Sequence, residues 1–146
     1  MLKKRLIPIL LMKEFNLVKS ISFESYQSVG NPFEEVIRFS EWEVDELIYL
    51  NIGNNQKEKF FQRQDSIIRE VGDDISLIKE VNKYCFMPLT WGGAINSLKD
   101  IKNIIRHGAD KVSLNSHAFR NYDLVTEACK IFGKQAIIVS LSLIHI

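Results

Sequence analysis

Apolar positions recur along this chain in short runs, separated by stretches of helical period. The runs 5–11, 46–52, 86–91, 111–115 and 136–141 are strand-like and stop abruptly at small or polar residues. Between them the apolar spacing changes to that of amphipathic helices. Residues 32–43 carry Phe33, Val36, Ile37 and Phe39 on one stripe, with Pro32 suited to a first helical turn. Residues 74–84 carry Ile75, Ile78 and Val81. Residues 97–107 open at Ser97, a good N-cap, carry Leu98, Ile101, Ile104 and Ile105, and stop near Gly108. Residues 121–132 carry Leu124, Val125, Ala128 and Phe132 before Gly133. Phe33, Phe39 and Trp42 are expected in the core.

Strand–helix alternation of this kind predicts parallel strands joined by right-handed crossovers, an α/β fold. Four βα units and the start of a fifth strand are visible. A closed (βα)₈ barrel needs eight units and typically about 250 residues. The 146 residues therefore predict one domain, 1–146, amounting to about half of a barrel. An open five-stranded parallel sheet is the competing architecture. Two segments depart from a compact βα repeat. Gly53 to Asp74 is long and polar, with room for a short helix ending near Gly72, and reads as a solvated insertion or as a lid or partner contact. The tail 141–146 stops inside or just after a strand. It is expected to be a truncated end, the alternative being a half-barrel that completes itself by dimerising. A half-barrel standing alone would expose Ile7, Ile9, Ile48 and Leu50, which predicts dimerisation or aggregation.

Composition narrows the function classes. Hydrophobic residues are 46%, charged residues 25%, and the net charge is +1, so bulk electrostatics gives no reason to expect nucleic-acid or membrane partners. Lys3-Lys4-Arg5 before an apolar run mimics a signal peptide, but the run is short, contains Pro8 and lacks a small-residue cleavage site. No stretch approaches the roughly 20 apolar residues of a membrane span. Cys85 and Cys129 form no disulfide pattern and read as reduced thiols in the cytoplasm. His107, His117 and His145 have no metal-ligand spacing with each other or with the cysteines, so neither a metal nor a cofactor is expected. His107 reads as a cation near a helix C-terminus.

Two segments carry candidate chemistry. Leu89-Thr90-Trp91-Gly92-Gly93-Ala94-Ile95 and Asp110-Lys111-Val112-Ser113-Leu114-Asn115-Ser116 each end a strand on small or polar residues. Backbone N–H groups freed by glycines, with Asn and Ser side chains at the next strand's end, suit a phosphate monoester. Two ordinary βα turns would look the same. Strand alternation also places Arg5, Glu46 and Lys111 on faces that would meet at the N-terminal mouth of a barrel. Charges gathered there must pair, because burying one alone is costly.

Taken together these segments resemble the cyclase subunit family of imidazole glycerol phosphate synthase, over its N-terminal half. The resemblance runs through Lys4-Arg5-Leu6-Ile7-Pro8, Leu17-Val18-Lys19, Val44-Asp45-Glu46-Leu47-Ile48-Tyr49-Leu50, Pro88-Leu89-Thr90-Trp91-Gly92-Gly93 and Gly108-Ala109-Asp110-Lys111-Val112-Ser113 to Asn115. It covers about residues 1–140, apart from an insertion near 53–75. It implies a (βα)₈ barrel in which Gly92, Gly93, Asn115 and Ser116 form one phosphate site, with Ala94 standing where a third glycine is usual. The Ala94 N–H would donate there only with a negative φ. Lys19, expected in the loop after the first strand, would contact substrate. Arg5, Glu46 and Lys111 would form a gate for ammonia from a glutaminase partner.

The resemblance also marks departures. Leu11 stands at the position of a catalytic Asp, Ser142 at that of the second, and Asn51 replaces another common Asp. Leucine cannot transfer a proton, and such a group typically contributes about 10²–10⁴-fold. The resemblance therefore implies ammonia-dependent cyclase chemistry on a phosphorylated ribosyl compound, or amidation of a surface-polysaccharide sugar by a paralogous group with an aliphatic residue at this position; the competing reading is a non-catalytic phosphate-binding half-barrel or a fragment.

Overall fold

The computed structural model describes residues 3–22, 24–53, 59–61 and 72–141. The helix expected before Gly72 and the position of Ser142 lie outside the described residues. Among the described residues eight strands form one sheet: β1 (Ile9–Lys13), β2 (Asn16–Ile21), β3 (Ser25–Gly30), β4 (Leu47–Asn51), β5 (Lys59–Phe61), β6 (Leu89–Gly92), β7 (Lys111–Leu114) and β8 (Ile137–Val139). Helices α1 (Pro32–Glu41), α2 (Asp74–Tyr84), α3 (Leu98–Arg106), α4 (Ser116–Arg120) and α5 (Tyr122–Phe132) connect them. The spatial order is β5-β3-β2-β1-β4-β6-β7-β8.

Within that order β1, β4, β6, β7 and β8 are successive neighbours, and every pairing among them is parallel. An open doubly wound sheet reverses its strand order at a switch point. Here the order only advances, as in a barrel, and right-handed crossovers then keep the helices on one face. The packing of α1 on α2, α2 on α3 and α3 on α5 agrees with that. The α/β half-barrel expected from the periodicity is therefore the architecture found.

Alternation along the strands sorts the two faces. Met12, Leu47, Tyr49, Leu89, Trp91, Val112 and Leu114 point to the helical side and join Val36, Leu77, Ile78, Val81, Ile101, Leu124 and Ala128 in one core. Tyr49 and Trp91 stack there at 5.8 Å, and the Tyr49 hydroxyl donates to the Pro32 carbonyl at 2.6 Å, tying β4 to the start of α1. The opposite face is the lumen side. Register stacks it in two layers, Ile9–Ile48–Thr90–Lys111 and Leu11–Leu50–Gly92–Ser113–Ile138.

The ends of the elements follow from local chemistry. Asn31 caps α1 by accepting the Phe33 N–H, and Pro32 fills the first helical position, where no N–H is needed. Ser97 and Asp100 form a capping box on α3. The expected strands 5–11 and 86–91 are both trimmed at their starts. Pro8 and Pro88 lack an N–H, so each contributes only its carbonyl, to Ile48 and Leu47 respectively, and regular pairing begins just after it. Two aspartates repeat one device at these starts. The Asp45 carboxylate accepts the Leu6 N–H while the Asp45 N–H donates to the Leu6 carbonyl. Asp110 does the same with Leu89. Each aspartate thereby fixes the register of the residue that follows it, Glu46 or Lys111, on the lumen face.

Two expectations change, and one element is new. The segment 16–30 forms an antiparallel hairpin, β2–β3, added to β1, so Lys19 lies in a strand. Its turn from β1 is made by Glu14 and Phe15, both with positive φ, without the glycine or asparagine that normally marks such a turn. Trp42 is 64% exposed rather than in the core, while Phe33 and Phe39 pack against the core. Residues 116–120 form α4, a helix too short to show a period.

Candidate functional site

At the C-terminal edge of the sheet, β6 ends in two glycines with different constraints. A Cβ on Gly92 would lie 2.6 Å from a Leu50 methyl and 3.0 Å from Ser113 Cβ, both in its own lumen layer. Gly93 turns the chain at φ +104, and a Cβ there would collide with the Asn51 carbonyl oxygen. The backbone after β6 is thus pressed against the end of β4. Ala94 follows at φ +52. The negative φ required of it is not what the fold adopts: the turn that Gly93 begins continues through the left-handed region, which costs an alanine about 1–2 kcal/mol relative to glycine.

A concavity of about 450 Å³ opens at this edge. Asn51, Gly93, Ala94, Asn115, Ser116 and Ser140 are among its lining residues. Four of the residues assigned to a phosphate site, Gly93, Ala94, Asn115 and Ser116, are therefore brought together, with Gly92 directly behind them in β6. The Asn115 side chain makes no capping bond to α4. Ser113 Oγ donates to Ser140 Oγ at 3.1 Å across β7 and β8.

Lys19 is not part of that group. It lines a second concavity of about 460 Å³ beside Ile9, Leu11, Ser20 and Val29. Leu11 faces the lumen opposite Leu50 and offers only an aliphatic side chain. The hairpin is held onto β1 from the other end, where the buried Lys13 ammonium lies 4.7 Å from the Tyr26 ring centre.

Asn51 has a partner that sequence reasoning missed. Its side-chain amide donates to both carboxylate oxygens of Asp74 at 2.9 Å, and its Oδ1 accepts the Gly53 N–H. Burial raises the Asp74 carboxyl above its ordinary value, partly offset by the Asn51 hydrogen bond. No sequence spacing links 51 to 74, and only the fold brings α2 over the end of β4. Burial also pushes the Cys85 thiol up to about 11, which keeps it protonated and unreactive near neutral pH.

At the N-terminal edge the Arg5, Glu46 and Lys111 side chains do meet. Glu46 is buried and receives Lys111 at 2.7 Å, Arg5 at 3.6 Å and the Thr90 hydroxyl at 3.0 Å. Thr90 joins this cluster through register with Lys111, which the sequence pattern did not single out. Among the described residues no group of His, Cys, Asp and Glu could hold a metal ion. No helix among them is long and apolar enough to cross a membrane.

The family model for histidine biosynthesis proteins matches residues 5–145. The imidazole glycerol phosphate synthase subunit HisF of Staphylococcus epidermidis RP62A is 38% identical over 143 residues, covering 97% of this chain and 51% of that protein. The same subunit of Staphylococcus aureus JH9 is 39% identical over 141 residues, with 97% and 51% covered. The chain thus spans about half the length of the curated relatives it matches. With its sequential parallel strands and the match from Arg5 onward, this chain belongs to the histidine biosynthesis protein family.

Proposed function

We propose that this chain forms the N-terminal half of an ammonia-using synthase barrel, of the imidazole glycerol phosphate synthase type. It would bind a phosphorylated ribosyl compound at its C-terminal mouth. The observation that carries this reading is the concavity where Gly93 and Ala94 meet Asn115 and Ser116. Neutral donors lining one concavity, the Gly93 backbone with the Asn115 and Ser116 side chains, suit a phosphoryl group. At the other mouth, the Glu46 cluster is the proposed gate for ammonia from a glutaminase partner. Leu6, Trp42 and Phe86, all exposed at that same end, offer apolar anchors for such a partner. The proposed workplace is the cytoplasm.

Leu11 favours a second reading within the same architecture. With an aliphatic residue at the position of the proton-transferring Asp, the chain fits the paralogous group that serves amidation of a surface-polysaccharide sugar better than a histidine-pathway cyclase. The test joins residues 1–141 to the second half of the Staphylococcus epidermidis relative. The chimaera is expressed with that organism's glutaminase in a strain lacking its own synthase subunit. The expected result is no growth without histidine for the Leu11 chimaera, and growth for Leu11→Asp, alone or with Asn51→Asp. Robust growth with Leu11 would contradict the paralogue reading. Failure of the folded acid-restored chimaeras would contradict the synthase reading.

A further inference from the structure

We propose that His117 supplies the positive charge for the phosphoryl group in the C-terminal concavity, a role that rests on the phosphate reading above. The concavity's lining is otherwise made of amides, hydroxyls, backbone and aliphatic groups, and His117 is its one ionisable side chain among the described residues. A phosphate monoester carries between one and two negative charges near neutral pH. Neutral donors position such a group but do not neutralise it, and enclosing an uncompensated charge is costly. An imidazolium contributes both charge and N–H donors, and histidine is the residue whose ordinary titration range lies near neutrality.

The backbone holds His117 at the site. The Ala118 N–H donates to the Asn115 carbonyl at 2.9 Å, and the Asn121 N–H donates to the His117 carbonyl at 2.9 Å. His117 therefore stands on the same turn as Asn115 and Ser116, with its side chain half-buried against the concavity. None of the ion pairs among the described residues involves it. Asp74, which lies outside the lining, is hydrogen-bonded through both carboxylate oxygens to Asn51. Lys19, the cation that the family resemblance offered for substrate contact, lines the other concavity. The ligand class that follows is a small phosphate monoester, held by neutral donors from the turns after β6 and β7 and by one imidazolium.

The test measures inorganic phosphate and sulfate binding to the full chain by titration calorimetry, at one pH near 6.5. His117→Gln, which keeps a donor but not the charge, is expected to weaken both anions about 10-fold or more. His117→Lys should recover most of the affinity. His107→Gln should leave it unchanged, since the His107 ring is engaged with the Asn103 carbonyl at 2.6 Å on another element. Unmutated protein provides a check independent of folding: proton NMR signals of the His117 ring should move with phosphate while those of His107 stay. Equal affinity of parent and His117→Gln, or unmoved His117 signals at saturation, would overturn the assignment and leave the phosphate reading intact. If the folded parent binds neither anion, the phosphate reading fails, and the assignment with it.

Discussion

Gly93 and Ala94 separate two demands that a glycine-rich turn usually merges. At Gly93 the absence of a side chain is a folding requirement, because a Cβ would sit inside the Asn51 carbonyl contact. Gly93→Ala is expected to lose about 2–4 kcal/mol of stability, measured by urea unfolding, so it tests the fold before it tests any ligand. Ala94→Gly relieves a left-handed alanine and should leave stability unchanged or raise it by up to about 1 kcal/mol, with anion binding retained. The sequence marked both positions as a turn but could not show the Asn51 contact, which joins residues far apart in the chain. Asp74 was illegible for the same reason. Its folded carboxyl titrates above the ordinary value of 3.8 because burial disfavours the charge. The stability tied to that proton is fully present below the unfolded value and is lost as pH rises through the folded one. Asp74→Asn keeps an acceptor for Asn51 and removes the charge. The variant should therefore gain stability relative to the parent at pH 7 and not at pH 3.5. An equal difference at the two pH values would contradict this assignment.

Elements with a clear period were readable; those governed by turn geometry were not. The helices 32–43, 74–84, 97–107 and 121–132 were found within a few residues because each carries an apolar stripe and a recognisable cap. The β2–β3 hairpin escaped because the turn that leads into it from β1, Glu14-Phe15, lacks the usual turn residues. The fold tolerates the strain there by other means. Phe15 packs against the core, and the Asn16 side-chain amide donates to the Glu14 carbonyl at 2.9 Å. Glu14 is exposed and gains nothing comparable. Glu14→Asn, which tolerates φ near +48, should raise stability by about 0.5–1 kcal/mol, read as a higher thermal midpoint. An unchanged or lowered midpoint would show that the turn is not strained as described.

Across the whole molecule, the two sheet faces differ in what covers them. Helices bury most of one face, whereas on the lumen face Ile9 is 59% exposed and Ile7, Ile48 and Leu50 are only half-buried. A row of apolar side chains between two short strand edges, β5 and β8, favours association. The chain should sediment as dimers or larger species at micromolar concentration, with a thermal transition that depends on concentration. A strictly monomeric species with a concentration-independent transition would contradict this. The βα order and the polarity of the two mouths were legible because a barrel uses every strand end alike: glycines and amides at one edge, charges that must pair at the other. The depth of each mouth and the grouping of residues within it depend on register, which no single segment reveals.

The central claim is that anion recognition belongs to the C-terminal mouth, although the cations Arg5 and Lys111 stand at the opposite one. Amide-resolved NMR during a titration with ribose 5-phosphate tests it directly. Saturable shifts are expected at Gly93, Ala94, Asn115 and Ser116, with Glu46, Thr90 and Lys111 unmoved. Shifts centred on the Glu46 cluster, with the glycine turn silent, would contradict it.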